Sequence, residues 1–215
     1  MTREEILPIA KPILFNTGRT VDILEDRKTA TRRILKLPRY IKKQENGLYA
    51  LFAEGTCYEN QHLEEIVDYI KPPYKVGDYM YVRETWGCYS AKWADASYFL
   101  YRSDYPDGAK TYEYDGHICD IPKWRPSIHM PKEAARIFLR VTDVRVERLQ
   151  DMTLEDFLSE GVVLRPEAFN DPENAYQQAK RIFIGIWDPT TNELQYKWEA
   201  NPWAWVIEFE RVEVQ

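Results

Sequence analysis

The chain has 215 residues, 44% of them hydrophobic, and carries a formal net charge of −6. This length and apolar fraction suit one large domain or two small ones and exclude wholesale disorder. The acidic balance argues against a protein that coats nucleic acids without specificity.

Neither membrane insertion nor secretion is expected. The longest obvious apolar run, residues 203–207, is far shorter than the roughly 20 apolar residues of a membrane span, and the N-terminal residues do not resemble a signal peptide. The three cysteines, Cys57, Cys88 and Cys119, are odd in number and form no C-x-x-C pair, which argues against a disulfide framework. We therefore expect a cytoplasmic protein with no membrane partner.

The first half of the chain is predicted to contain short strands and one helix. Residues 12–15 form a strand, and residues 17–25 form a helix that Thr17 or Thr20 could cap. Further strands are predicted over residues 47–53, 79–85 and 97–102. Two stretches rich in Tyr, Gly, Asp and Glu, at about 39–73 and 90–122, are predicted to be insertions into a single domain spanning residues 1–215.

The second half of the chain has clearer periodicity. In residues 136–149 apolar and polar residues alternate, and the apolar positions change parity at Asp143. This pattern predicts two strand segments joined by a bulge or tight turn. Thr153 and Asp156 resemble a capping box before a helix that Gly161 ends, and residues 173–187 repeat helical spacing. Residues 203–209 alternate in a final strand. This mixture, without regular βαβ order, predicts an α+β fold around a small β-barrel.

Basic residues are concentrated in residues 27–43, a segment without Asp or Glu. A cationic face on an acidic body would attract a polyanion at one place. A solvated basic segment without a ligand is the alternative, because such runs are common. The eight basic residues are Arg27, Lys28, Arg32, Arg33, Lys36, Arg39, Lys42 and Lys43.

The sequence lacks the common cofactor and metal motifs. Glycine-rich phosphate loops, the H-E-x-x-H helix, the nucleophile elbow and the zinc-deaminase signature are all absent. His117 and Cys119, with Cys88 and His129, could form a tetrahedral zinc site, but their spacing matches no recognised pattern. We expect no metal and no cofactor.

The most specific signal is the segment 26–33, D-R-K-T-A-T-R-R. With Gly77-Asp78 before a strand, Glu160-Gly161 after a helix and a closing strand at 203–209, it resembles the ASCH domain of the PUA-like superfamily. Asp26 stands where that family commonly has glycine. The segments 82–86, 124–131 and 198–203 are similar to larger ASCH proteins of phages and prophages. The resemblance covers most of the chain except the two insertions and implies a PUA-like barrel with flanking helices.

The resemblance also implies a function. ASCH and PUA-like domains are associated with RNA or modified nucleosides, and one branch is an amidohydrolase that removes the acetyl group of N4-acetylcytidine. Its catalytic residues match Lys28, Thr31 and Glu160 here. A threonine hydroxyl needs a base to become a nucleophile, and a lysine amine desolvated among cations can act as that base. Glu160 could protonate the leaving amine or orient the lysine.

A wider set of residues is predicted to bind the substrate or a nucleic acid. The arginines could stabilise an oxyanion, and the indole could stack on a base, with core packing as its alternative. The set comprises Arg27, Arg32, Arg33, Glu84 and Trp86. The expected partner is RNA, DNA or a modified nucleoside. The alternatives are an accessory protein that binds RNA or DNA without catalysis, and a protein–protein adaptor.

Overall fold

The structure, a computed structural model, describes residues 1–36, 40–43, 49–52, 66–91, 96–105, 107, 109–114 and 116–214. Within these ranges, four α-helices span Arg3–Ile9 (α1), Thr17–Leu24 (α2), Leu154–Ser159 (α3) and Pro172–Trp187 (α4). None of these helices is long and apolar enough to cross a membrane. The strands are Lys11–Leu14 (β1), Ala30–Ile34 (β2), Tyr40–Lys43 (β3), Tyr49–Phe52 (β4), Ile66–Ile70 (β5), Tyr79–Arg83 (β6), Trp86–Ala91 (β7), Ala96–Tyr101 (β8), Thr111–Tyr114 (β9), His117–Asp120 (β10), Phe138–Arg148 (β11) and Trp203–Val212 (β12).

The largest sheet has five strands in the order β1-β6-β11-β12-β2. β1 pairs with β6 in parallel, whereas the β6–β11 and β12–β2 pairs are antiparallel. The outer strands β1 and β2 are not paired with each other in the described part of the chain, so these strands form an open sheet and not a closed barrel. The predicted α+β class is confirmed, and the small closed barrel is not found among the described strands.

The chain divides into two compact units. Unit 1 comprises Met1–Thr29, Gly77–Val141 and Phe209–Gln215, and unit 2 comprises Ala30–Val76 and Thr142–Glu208. The predicted insertion at 39–73 therefore lies in unit 2, and the one at 90–122 lies in unit 1. Organisation of the whole chain as one domain stays a prediction.

Both predicted insertions contain small antiparallel sheets in their described parts. β3, β4 and β5 form a three-stranded sheet, β7 pairs with β8 over six residues, and β9 pairs with β10. The sequence indicated a strand only at 47–53 and 97–102 because the other segments lack apolar–polar alternation. Such alternation is expected only where one face of a strand is buried.

Unit 1 has a core of side chains from α1, β6 and residues 130–138. Ile6, Phe138 and Met130 are almost completely buried there. α1 begins with a capping box, in which the Thr2 hydroxyl accepts from the Glu5 N–H and the Glu5 carboxylate accepts from the Thr2 N–H.

The N-cap of α2 differs from the prediction. Asn16 caps this helix, and its side-chain oxygen accepts from the Arg19 N–H at 2.9 Å. Thr17 is already the first helical residue, and the Thr20 hydroxyl donates to the Asn16 carbonyl inside the helix. The sequence misled because asparagine and threonine are both good N-cap residues, and they stand side by side here.

Unit 2 has an aromatic core between α3, α4 and residues 198–204. The Phe157 ring centroid lies 5.4 Å from that of Phe183 and 6.1 Å from that of Trp198. The capping box of Thr153 and Asp156 at the start of α3 is confirmed. These contacts fix the position of the short helix α3, whose last turn leads to Glu160.

β11 corrects the predicted strand pair. It runs unbroken from Phe138 to Arg148, straight through Asp143. Leu139 and Val141 are buried on one face, whereas Phe138 and Val144 are buried on the other. The parity changes because different faces are covered along the strand, and no tight turn interrupts it.

β12 is buried on both faces at its centre. Four consecutive residues, 204–207, are buried, as is Phe209. The predicted burial of Trp205, Ile207 and Phe209 is confirmed, but the expected alternation with exposed residues is incomplete. A strand between two neighbours in a sheet that is covered on both faces has this pattern.

We predict that Phe209→Ala lowers the free energy of unfolding by about 3–5 kcal/mol, as expected for a large deletion in a core. The side chain is 3% exposed, and its ring centroid lies 6.3 Å from that of Phe15. Urea denaturation measures the loss. Glu210→Ala, at the next and exposed position, is the control and should change stability by less than ~1 kcal/mol. A similarly small loss for Phe209→Ala would show that this end of β12 is peripheral.

Candidate functional site

The segment 26–33 begins with the turn that ends α2. The Asp26 N–H donates to the Ile23 carbonyl and the Arg27 N–H to the Asp22 carbonyl, which is the Schellman arrangement. Asp26 has φ 54°, a left-handed conformation in which glycine is usual and Asp is tolerated. Its carboxylate also accepts from Arg211 at 3.0 Å. Asp26 therefore forms this turn without a glycine.

Lys28 follows this turn, in unit 1, and is 3% exposed. Its N–H donates to the Asp22 carbonyl at 3.0 Å, and its ammonium nitrogen lies 5.8 Å from the centroid of the Phe15 ring. That distance is within cation–π range. Fully buried lysines are rare in proteins. Lys28 thus lies inside the protein and is not part of a surface cationic face.

Thr31 lies on β2 in unit 2 and is also buried. It stands opposite Ile207 of β12 in the antiparallel register. Two residues separate it from Lys28, so the two Cα atoms are no more than about 11 Å apart through the chain. Strand alternation places Thr31 and Arg33 on one face of β2 and Arg32 on the other.

Glu160 is the C-cap residue of α3 and is buried, in unit 2. After it, Gly161 has φ 87°, its N–H donates to the Leu158 carbonyl, and the Val162 N–H donates to the Phe157 carbonyl. This is the same Schellman arrangement that ends α2. The predicted end of the helix at Gly161 is confirmed, and it fixes the backbone of Glu160.

Arg32 is surrounded by carboxylates, and its side chain is 1% exposed. Its Nη2 lies 2.6 Å from Asp156 Oδ1 and 3.5 Å from Glu147 Oε2, and its Nη1 lies 3.6 Å from Glu160 Oε1. A buried guanidinium is stable only with such partners. The sequence suggested that Arg32 binds the substrate or a nucleic acid. Its enclosure by carboxylates instead favours a role in positioning Glu160.

Arg33 is half-buried on the opposite face of β2. Burial lowers the pKa of its guanidinium, while the electrostatic effects of Glu160 and Tyr74 act in the opposite direction. Among the described strands, β2 lies at the edge of its sheet. Side chains on both of its faces can therefore reach a carboxylate that lies beside that edge. Glu160 therefore interacts with guanidinium groups on two successive residues of β2.

The described part of residues 27–43 does not form an open cationic face. Arg27 pairs with Asp22 at 2.8 Å and with Glu25, and Lys36 pairs with Glu193 at 3.3 Å. Lys28 and Arg32 are buried. Paired and buried cations attract a polyanion weakly. Arg39 and the side chains of Lys42 and Lys43 lie outside the described residues.

Glu84 is 1% exposed and lies within unit 1, where its carboxylate is fully hydrogen-bonded. Oε1 accepts from Arg136 Nε at 2.9 Å, and Oε2 accepts from Arg136 Nη2 at 3.0 Å and from Ser103 Oγ at 2.6 Å. Arg136 also donates twice to Asp104 at 2.7 Å. Burial opposes the charged form of Arg136, but hydrogen bonds to Glu84 and Asp104 outweigh it and raise its pKa. This network joins three segments of unit 1, and no motif in the sequence signals its arginine.

Trp86 is buried in the core of unit 1. Core packing was the alternative to stacking on a base. Its ring centroid lies 5.8 Å from that of Phe99 and 4.9 Å from the guanidinium carbon of Arg125. The neighbouring side chain of Arg83 donates to the Met130 carbonyl at 3.1 Å. These contacts favour a structural role for Trp86 over stacking on a base.

Among the described residues, no group of three or more His, Cys, Asp or Glu is arranged to hold a metal ion. Cys88 and Cys119 are half-buried, and neither forms a disulfide within the part of the chain that the structure describes. Cys57 and the side chain of His117 lie outside the described residues. The described residues therefore include only part of the candidate zinc site.

We predict that Arg136→Met lowers the free energy of unfolding by about 3–5 kcal/mol, because it leaves the buried Glu84 carboxylate without its cationic partner. Arg140→Met is the matched control. It removes an ion pair with Glu210 in which both side chains are half-exposed, and it should cost less than about 1 kcal/mol. Urea denaturation of both variants gives the comparison. Equal small losses would show that the Glu84 network is not needed for stability.

Comparisons with protein-family models, with curated proteins and with solved structures each gave no match to this chain. Its function is therefore inferred from the chemistry of residues 26–33, of Glu160 and of their partners.

Proposed function

We propose that this chain is an ASCH-type protein of PUA-like fold that binds a modified nucleoside and hydrolyses the amide of an N4-acylated cytidine. The observation that carries the proposal is the burial of four polar side chains in the motif and at the end of α3: Lys28, Thr31, Arg32 and Glu160. Burial of charged and polar groups costs free energy, and proteins concentrate such groups at functional sites. The mixed α+β architecture is compatible with this family assignment.

The proposed reaction is acyl transfer followed by hydrolysis. Thr31 Oγ attacks the carbonyl carbon of the acyl group while the Lys28 amine accepts its proton. The bond between that carbon and N4 of the cytidine then breaks. N4 keeps the electron pair and takes the proton from Lys28, which Glu160 orients. Water hydrolyses the resulting ester of Thr31. One amide and one water thus give cytidine and a carboxylic acid.

Arg33 is the arginine that we assign to the oxyanion. Arg33 is half-buried and lies on the same face of β2 as Thr31. A guanidinium in a partly desolvated site stabilises developing negative charge more strongly than one in water.

The charge distribution favours a nucleoside as the ligand over a nucleic-acid strand. Binding of a strand gains affinity chiefly from cations that contact phosphates and release counterions. Of the five described cations in residues 27–36, Arg27 and Lys36 instead pair with carboxylates, and Lys28 and Arg32 are buried. A nucleoside carries no phosphate and needs none of those contacts.

We predict that the protein hydrolyses N4-acetylcytidine and that Thr31→Val and Lys28→Met each abolish most of this turnover. The first change removes the nucleophile at nearly constant volume, and the second removes the base but keeps the stem. Because the two residues act as a unit, the double variant should be little worse than either single one. Binding of the intact nucleoside should fall much less than turnover. Release of cytidine, followed by chromatography, measures the rates.

Thr29→Val is the matched control for the threonine, since Thr29 lies two residues away and is exposed. It should retain wild-type turnover. Turnover that persists in Thr31→Val would point to direct attack by water. An inactive wild type that still binds nucleosides would leave the chain as a binding protein.

We also predict that the affinity for a nucleoside hardly changes between 50 and 200 mM salt, and that affinity for oligonucleotides is weak. Arg33→Gln should weaken nucleoside binding, whereas Arg181→Gln, at an exposed position of α4, should not. Calorimetric titration gives both affinities. Tight oligonucleotide binding that falls steeply with salt, by about 0.9 in log affinity per log salt for each phosphate contacted, would instead favour the non-catalytic nucleic-acid-binding alternative.

A further inference from the structure

We propose that Asp156 is a positioning residue for Glu160 and that it acts through Arg32. This inference rests on the proposed function of Glu160. Asp156 does not belong to the motif that suggested the catalytic residues. Its contact with Arg32, and the contacts of Arg32 with Glu147 and Glu160, all lie within unit 2.

The two carboxylate oxygens of Asp156 have different partners. Oδ2 accepts from the Thr153 N–H at 2.9 Å and from the Thr153 hydroxyl at 2.8 Å, which closes the capping box of α3. Oδ1 accepts from Arg32 Nη2 at 2.6 Å. One oxygen therefore fixes the carboxylate to the start of the helix, and the other holds the guanidinium.

Asp156 is the main anchor of that guanidinium. Within the described part of the chain, Nη2 is the only nitrogen of the Arg32 guanidinium that forms a hydrogen bond. Its second contact, with Glu147, is longer, at 3.5 Å. Burial tends to raise the pKa of Asp156, but hydrogen bonds from Thr153 and Arg32 outweigh it and lower the pKa, so the anchor is a carboxylate at neutral pH.

The other end of the guanidinium faces Glu160. Asp156 and Glu160 are four residues apart along α3, so their side chains share one face of the helix, where two negative charges repel. Arg32 lies between them, with Nη1 at 3.6 Å from Glu160 Oε1. Because Asp156 holds Nη2, Arg32 stays at ion-pair distance from Glu160. Without the Asp156 charge, the guanidinium would turn toward Glu160 and draw its carboxylate away from the reacting atoms.

The test separates the two oxygens of Asp156. Asp156→Asn keeps the size of the side chain but removes the charge that holds Arg32, whereas Thr153→Val weakens the cap and leaves Arg32 in place. We expect Thr153→Val to retain N4-acetylcytidine turnover within about twofold, and Asp156→Asn to lose about 10²-fold, since small misplacements of a catalytic group have effects of this size. Asp156→Glu, which restores the charge, should recover part of the loss. Equal turnover in Asp156→Asn and Thr153→Val would overturn the proposal.

A second readout needs no substrate. Rotation of the Arg32 guanidinium, followed by ¹⁵N NMR, should be slow in the wild type and in Thr153→Val and at least ~10-fold faster in Asp156→Asn, because the anchoring bond is a strong charge-assisted one. Unchanged rotation in folded Asp156→Asn would overturn the role of Asp156. A wild type that neither binds nor hydrolyses nucleosides, but shows the expected rotation, would overturn the proposed function and leave Asp156 as an anchor of Arg32 alone.

Discussion

A charged group that is removed from water must find opposite charge inside the protein, and this requirement organises the parts of the chain that matter most. In unit 2 the guanidinium of Arg32 draws Asp156, Glu147 and Glu160 around one residue of β2. In unit 1 the Glu84 carboxylate does the same with Arg136 and Ser103. Each network joins segments that are far apart in sequence. The arrangement of the side chains around these two charges depends on their ion pairs, and Glu84 has Arg136 as its cationic partner.

The two networks differ in how completely they satisfy their central group. Both oxygens of Glu84 accept charge-assisted hydrogen bonds of normal length, so nothing in that network calls for a ligand. Around Arg32 one strong hydrogen bond coexists with ion pairs at 3.5 and 3.6 Å, and the neighbouring residues Thr31 and Arg33 present polar groups on the other face of β2. Under the proposed function, this looser set of charges lies next to Thr31 and the half-buried Arg33.

Local patterns in the sequence predicted local structure well and charge environment poorly. The capping box at Thr153 and the helix end at Gly161 were predictable because a few adjacent residues determine them. The unbroken strand β11 was missed because its parity reflects which face is covered, and that depends on other segments. The prediction of a cationic face at residues 27–43 was wrong for those described residues that are buried or paired. The carboxylates that pair with them, such as Asp156 and Glu193, lie in distant segments of the chain. Arg136 had no motif at all, because only the fold brings it to Glu84.

The ends of two helices connect these local signals to the site. α2 and α3 both end in a Schellman turn, with Asp26 and Gly161 in the left-handed conformation. The first turn leads directly to Lys28 and then to Thr31 on β2, and the second fixes Glu160 one residue before its glycine. Since a Schellman turn sets the backbone direction of the residues next to it, the two turns define where these side chains begin. The Glu160 carboxylate in addition interacts with the guanidinium groups of Arg32 and Arg33 on β2. Two influences therefore act on the Glu160 carboxylate. Adjacent residues set its backbone, so its place at the end of α3 could be predicted from the sequence. Its ion pair comes from a distant segment, so its charge environment could not be predicted.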